Sequence, residues 1–282
     1  MWGVRVFNKL HFGTAGIPLS TLRKTSAEGI KRVRELGLEA MELEFVRGVK
    51  MSRASASEIR TIAGEMGVVL TVHAPYYINL NSRDQAKLRA SIDRILDSAR
   101  IGSEAGAFSV VFHPAYYGSD TPQETYSRVR DALKYIVKTL RDEGIEIWIR
   151  PETMGGLAEF GDLEEVISLS EELEMVLPAI DFAHLHARSL GKYNTYEEVA
   201  GVLGEIEQRL GREALESMHI HISGIEYGKK GEIKHLNLEE SDLNYVEILR
   251  ALKDFRVKGV VISESPNIEE DAILMKKKYE SI

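Results

Sequence analysis

The sequence predicts a single (β/α)8 TIM barrel covering residues 1–282. Three observations predict it. Short β-branched runs alternate with longer amphipathic stretches, as repeated β–α units require. There are eight such pairs in 282 residues, a period of about 35. No linker, low-complexity tract or composition shift cuts the chain in two. A helical solenoid could share that period, but solenoids lack buried β runs between their helices.

The elements follow in order. A weak strand is predicted at 10–14 and a helical pattern at 21–36, which Gly37 ends. The run 38–45 gives the second strand. The helix 56–66 after it has Ser55-Ala56-Ser57-Glu58 as a capping box and Gly67 as its stop. Strand 68–73 precedes helix 84–105, and strand 108–113 precedes helix 122–143. In the latter, Thr121-Pro122-Gln123-Glu124 places Pro at the first helical position and Gly144 closes the end. Strands 145–150, 176–181, 218–222 and 257–263 alternate with helices 163–173, 195–210, 243–255 and 269–279. Residues 224–231 read as a Gly- and Lys-rich loop.

Composition narrows the function. The absence of Cys excludes disulfide staples, thiolate metal sites and cysteine nucleophiles, and suits a reducing cytoplasmic setting. No apolar run reaches the ~18 residues of a membrane span, and Met1–Leu10 lacks the apolar centre of a signal peptide. The expected state is a cytoplasmic monomer. A net charge of −8 gives no long-range attraction to nucleic acid, so an anionic partner must be held locally.

The chemistry lies in what ends each strand. His73-Ala74-Pro75 closes the third, His113-Pro114 the fourth and Pro151-Glu152 the fifth. Asp181-Phe182-Ala183-His184 follows the sixth, His219-Ile220-His221 the seventh and Glu264-Ser265-Pro266 the eighth. In a barrel these ends converge on one face, where barrel active sites lie. A lone strand-end His is ordinarily a hydrogen-bonded structural residue, and a lone carboxylate ordinarily caps the next helix. Six consecutive ends doing the same thing are not explained that way. Imidazoles and carboxylates are ligands for Zn²⁺, Mn²⁺ and Fe²⁺, and without cations such a cluster would repel itself. His221, nearer the strand end, is the better ligand, with His219 a supporting or core residue. His186 is a weaker candidate, His235 gains weight from its neighbourhood, and His11 has no evident partner.

These motifs resemble the endonuclease IV family of apurinic/apyrimidinic endonucleases, and the resemblance covers nearly the whole barrel. The family's His-x-Pro-Tyr-x-x-Asn segment is matched by His73-Ala74-Pro75-Tyr76-Tyr77-Ile78-Asn79. His113-Pro114, Glu152-Thr153-Met154-Gly155-Gly156, Asp181-Phe182-Ala183-His184, His221-Ile222-Ser223 and Glu264-Ser265-Pro266 match five further motifs in order. The resemblance implies two or three zinc-type ions, with Mn²⁺ as an alternative. His73, His113 and Glu152 would hold the first, and Glu152, Asp181, His221 and Glu264 the second. His184 and His235 would belong to the third. The implied activity is a nick 5′ to an abasic sugar in double-stranded DNA, as in base excision repair, with Glu152 also orienting the attacking water. Tyr76, Tyr77 and Asn79 would contact DNA, with Tyr76 and Tyr77 suited to wedge into the stack. Arg47 and Lys50, and Lys229, Lys230 and Lys234, are candidate phosphate contacts. Three divalent ions would add six charges and bring −8 to −2.

Two positions depart from the family. Its third-metal Asp, two residues before the loop His, is Ile233 here, and Glu232 is the candidate substitute. A His-Val-Ser segment after the first strand is replaced by Gly13-Thr14-Ala15-Gly16. Two other readings compete. A single-metal sugar isomerase or epimerase would need only Glu152, Asp181, His221 and Glu264. A non-catalytic lesion-binding protein would follow from loss of the third ion.

Overall fold

The computed structural model describes residues 7–282, so the N-terminal expectation for residues 1–6 lies outside the described residues. In chain order the main elements are β1 (Leu10–Ala15), α1 (Ser26–Glu35), β2 (Ala40–Glu44), α2 (Arg53–Met66), β3 (Val69–His73) and α3 (Gln85–Glu104). β4 (Ser109–Phe112), α4 (Pro122–Asp142), β5 (Trp148–Pro151), α5 (Leu163–Glu172) and β6 (Ala179–Asp181) follow. The chain then runs through α6 (Phe182–Arg188), α7 (Tyr196–Leu210), α8 (Arg212–Leu215), β7 (Met218–Ile222), α9 (Tyr245–Asp254), β8 (Gly259–Ser263) and α10 (Glu269–Ser281). The eight strands are parallel and ordered β5-β4-β3-β2-β1-β8-β7-β6. Parallel bridges Ile149↔Val176 and Glu152↔Ala179 join the two edges, so the sheet closes on itself as a nearly closed barrel. The (β/α)8 expectation holds.

The helices form because each presents one apolar face to the barrel. In α4, Val129, Leu133, Ile136 and Leu140 recur at four, three and four residues and are all fully buried. Each such side chain contributes roughly 1.5–3 kcal/mol by leaving water. A second, smaller cluster of Phe7, Ala40, Val69, Phe108, Val260 and Ile262 packs apart from this layer. Because strand side chains alternate, residues two apart on one strand share a face. Val69 belongs to that cluster and His73, four residues on, lines the cavity at the carboxyl ends; the same holds for Ala40 and Glu44.

Several boundaries differ from expectation. α1 starts at Ser26 rather than Thr21, because Glu269 accepts from the backbone N–H of Leu19 (2.6 Å) and Ser20 (2.7 Å) and holds that segment as a loop. α2 starts three residues earlier than predicted, capped by Ser52, whose side chain accepts from Ser55 N–H, so the Ser55 capping box is not the one used. The capping box at Thr121 and Glu124 is present as predicted. Gly67 caps α2 in the left-handed conformation, φ 64°. The predicted loop 224–231 belongs instead to an antiparallel hairpin of Gly224–Gly228 and Gly231–Leu236. A second short pair joins Ala115–Tyr116 to Glu159–Phe160. The seven-residue α6 is too short to show a helical period in the sequence.

Candidate metal centre

The carboxyl ends of the strands surround a cavity of about 1090 Å³ lined by His73, His113, His184, Glu232, His235 and Glu264, among others. At its floor Glu152, one residue past β5, is completely buried. Its Oε2 lies 3.5 Å from His73 Nε2 and 3.3 Å from His113 Nε2, and its Oε1 lies 2.9 Å from His221 Nδ1. Glu264 Oε1 is 3.4 Å from the same His221 nitrogen. Asp181 caps α6 by accepting from His184 N–H at 2.8 Å with Oδ1, while its Oδ2 lies 3.5 Å from His184 Nδ1.

The imidazoles are held by what lies behind them. His73 Nδ1 is 2.8 Å from Ala74 O, His184 Nδ1 is 2.9 Å from Thr153 O, and His235 Nδ1 is 3.3 Å from Glu264 O. A carbonyl only accepts, so in each case Nδ1 carries a hydrogen and Nε2 is the nitrogen turned toward the cluster. That is the arrangement a metal ligand requires.

Burial would raise the Glu152 carboxyl, but His221, His113 and His73 outweigh it and hold it well below the usual range. Burial would lower His73 and His184. Glu152 and Glu44 for the first, and Asp181 and Glu232 for the second, overcome this and raise each to about 10. Burial raises Asp181 to about 6.

The residues fit divalent cations. Glu152 Oε2 and Asp181 Oδ2 are buried without a hydrogen-bond partner. The ligand atoms of His73, His113 and Glu152, those of Glu152, Asp181, His221 and Glu264, and those of Asp181, His184 and His235 each lie within 4.8 Å of one another. Every predicted His, Asp and Glu ligand therefore reaches one cluster.

Glu232 joins it by a local irregularity. In the hairpin, Glu226 pairs with Lys234 but Tyr227 pairs with Glu232, so Ile233 is bulged out of the ladder and 60% exposed. The bulge turns Glu232 onto the face of His235. Glu232 Oε2 then lies 3.2 Å from His184 Nε2, and the His184 and His235 Nε2 atoms are 3.1 Å apart.

The other predicted residues are placed as follows. Tyr76 and Tyr77 stand exposed at the rim, 52% and 70%, with the Tyr76 ring 5.3 Å from that of His73. Asn79 is half-buried in the same loop, its Oδ1 accepting from Asn81 N–H at 3.0 Å. Lys229, Lys230 and Arg47 are exposed, and Lys230 lines the cavity. His186 is structural, between Lys192 O and Asp242. His11, for which no partner was evident, faces Glu39 at 3.7 Å. Sequence reasoning missed β2: Glu42 is fully buried beneath the cluster and Glu44 lines the cavity. The run Ala40-Met41-Glu42-Leu43-Glu44 does carry an alternating signal, two carboxylates on the inward side of a strand.

A family model described as xylose isomerase-like TIM barrel matches residues 30–278, most of the chain. The chain belongs to the xylose isomerase-like TIM barrel family. An uncharacterized protein of Methanocaldococcus jannaschii is 43% identical over 273 residues, 97% of this chain and 98% of that one. A probable endonuclease 4 of Mycoplasma pneumoniae is 26% identical over 204 residues, 70% of this chain and 68% of that one. Among solved structures, endonuclease IV from Thermus thermophilus superposes with a TM-score of 0.72 at 21% identity, covering 95% of this chain and 100% of that one. A D-tagatose 3-epimerase-like protein superposes with 0.71 at 21% identity, covering 95% and 97%. Both share the fold of this xylose isomerase-like barrel. Among the described residues no helix is long and apolar enough to cross a membrane.

Proposed function

We propose that this xylose isomerase-like barrel is a metal-dependent endonuclease that cleaves the DNA phosphodiester 5′ to an abasic site. One observation carries the reading. His73, His113, His184 and His235 stand around the Glu152, Asp181, His221 and Glu264 set, and the donors fall into three groups that share Glu152 and Asp181. A single-ion centre has no use for the outer four histidines. Two or three Zn²⁺ ions suit these nitrogen and oxygen donors, with Mn²⁺ as an alternative. His73, His113 and Glu152 would hold one ion, Glu152, Asp181, His221 and Glu264 a second, and Asp181, His184, His235 and Glu232 a third.

Divalent cations supply a hydroxide near neutral pH and neutralise charge on a phosphodiester. The chain's own residues do the rest. Glu152 stays charged at the floor, where its carboxylate can accept a hydrogen bond from a water aligned for attack. Tyr76 and Tyr77 offer rings at the rim that can fill the stack vacated by a flipped nucleotide, and a missing base makes that flip cheap. Lys229, Lys230 and Arg47 are free of burial and suited to backbone phosphates. The M. pneumoniae relative's name supports the same reading.

A second reading rests on the same centre. Glu152, Asp181, His221 and Glu264 alone would serve a single-ion sugar epimerase, and the epimerase-like neighbour shares the fold equally well. Elemental analysis of the purified protein, paired with assays on an abasic duplex and on ketohexoses, separates the two. Two or three ions with a nicked duplex supports the nuclease; one ion with an epimerised sugar overturns it.

A further inference from the structure

Glu42 lies beneath the cavity floor and belongs to none of the three donor groups assigned above. It is completely buried, and three groups converge on its carboxylate. Thr71 Oγ1 donates to Oε2 at 2.8 Å. His219 Nε2 lies 2.9 Å from Oε2, and His221 Nε2 lies 3.1 Å from Oε1. Behind His219, Nδ1 is 2.9 Å from Ser109 Oγ. The two Nε2 atoms are 3.1 Å apart.

The hydrogens can be assigned from these contacts. A carboxylate only accepts. A bare Nε2 lone pair on either ring would face a carboxylate oxygen at 2.9 or 3.1 Å in a fully buried site. If one imidazole instead donated to the other, that clash would occur on the acceptor ring. Both Nε2 atoms are therefore assigned hydrogen directed at the Glu42 carboxylate, whose buried Oε1 has no other partner. His219 Nδ1 then accepts from the Ser109 hydroxyl. His221 Nδ1, 2.9 Å from Glu152 Oε1 and 3.4 Å from Glu264 Oε1, is the nitrogen whose hydrogen a cation held by these carboxylates would displace, leaving its lone pair for the ion.

We infer that Glu42 is a positioning residue that locks His221 in its Nε2–H tautomer and aims the Nδ1 lone pair at the Glu152, Asp181 and Glu264 carboxylates. The inference rests on the reading of His221 as a metal ligand, and it is independent of the substrate. The other ligand histidines whose outer nitrogen is described are oriented by backbone carbonyls, which a side-chain change cannot remove. His221 depends on a side chain from a different strand. β2, which holds no member of the three groups, thereby acts on the centre through β7.

Long-range proton–nitrogen correlation spectra of protein labelled with ¹⁵N-histidine test this directly, with the His221 signals identified by their absence in His221→Asn. In the zinc-loaded protein His221 should show a protonated Nε2 and a metal-shifted Nδ1. Glu42→Gln, whose amide can accept from only one imidazole, should move His221 toward the Nδ1–H form. It should also weaken binding of one zinc per chain by about 10–100-fold while leaving the others in place. Glu42→Asp, which keeps the carboxylate, should retain the Nε2–H form. Thr71→Val, which loosens the same carboxylate without touching either ring, should leave the tautomer unchanged. Wild-type tautomer and zinc affinity in Glu42→Gln would overturn the inference. So would zinc on His221 Nε2, which would mark Glu42, His219 and His221 as an ion site of their own. Failure of the wild-type protein to take up zinc would remove both this inference and the metal reading. Normal zinc uptake without DNA cleavage would remove only the nuclease.

Discussion

Glu232 Oε2 lies 3.2 Å from His184 Nε2, although Glu232 and His235 are three residues apart on one strand and would face opposite sides of a regular ladder. The bulge at Ile233 corrects the parity. An Asp two residues before the His, the spacing of the endonuclease IV pattern, would share its face in a regular ladder. Here a longer side chain one residue further back reaches the same place. Glu232→Ala should therefore lower the metal content by one ion per chain and leave the others bound. Because Ile233 is bulged out of the ladder and 60% exposed, adding Ile233→Asp to that variant should not restore the ion. Elemental analysis of the three proteins checks both statements.

Gly155 makes room for this arrangement. A Cβ on Gly155 would lie 2.6 Å from Glu232 Oε2 and 2.8 Å from Glu232 Cβ. Gly155→Ala should displace Glu232 and reproduce the metal loss of Glu232→Ala, with little change in thermal stability. Retention of full metal content would show that Glu232 is not a ligand.

The barrel itself was legible in the sequence, because eight apolar runs at a regular spacing have few other solutions. So was the convergence of His73, His113, Glu152, Asp181, His184, His221 and Glu264, each at or just beyond a barrel strand end, whereas His235 lies on the hairpin and is reached only through the family resemblance. What was hidden depends on the third dimension. Glu42 faces inward two residues before the end of β2, and only the contacts with His219 and His221 distinguish it from an ordinary strand carboxylate. The hairpin bulge is equally invisible, since residues 224–231 carry the Gly and Lys content of a loop. α6 is too short for its period to register.

The first-strand departure has a packing cause. A Cβ on Gly13 would lie 2.0 Å from Ala40 O, so β1 and β2 approach too closely there for any side chain. Gly13→Ala should cost about 3 kcal/mol or abolish folding, measured by denaturant unfolding. A variant of unchanged stability would mean that the strands can separate freely.

The pKa directions make a prediction for the metal-free protein. His73 and His184 are raised from 6.5 to about 10 by the surrounding carboxylates. A group whose folded pKa is raised contributes stability that is complete below its unfolded pKa and is lost as pH climbs through the folded one. The metal-free protein should therefore lose several degrees of Tm between pH 6.5 and 10, whereas the zinc-loaded protein, its imidazoles already deprotonated, should lose less. Zinc binding near pH 7 should release protons, visible in calorimetry as a dependence of the observed heat on the buffer's ionisation enthalpy. Binding with no proton release would contradict the protonation assigned to these histidines.

Tyr76 and Tyr77 can be separated from the metals. Each should contribute about 1–3 kcal/mol to binding of an abasic duplex by stacking. Tyr77→Ala and Tyr76→Ala should weaken that binding roughly 5–150-fold with unchanged metal content. Loss of metal in Tyr76→Ala would show that its ring, 5.3 Å from His73 and 5.4 Å from His113, serves the centre instead.

The most direct test of the central claim is cleavage of a duplex carrying one abasic site by the zinc- or manganese-loaded protein, with the product ends mapped. The account predicts a single nick 5′ to the abasic sugar leaving a 3′ hydroxyl, and none from Glu152→Gln. An intact duplex with the wild-type protein, or an equal nick with Glu152→Gln, would contradict it.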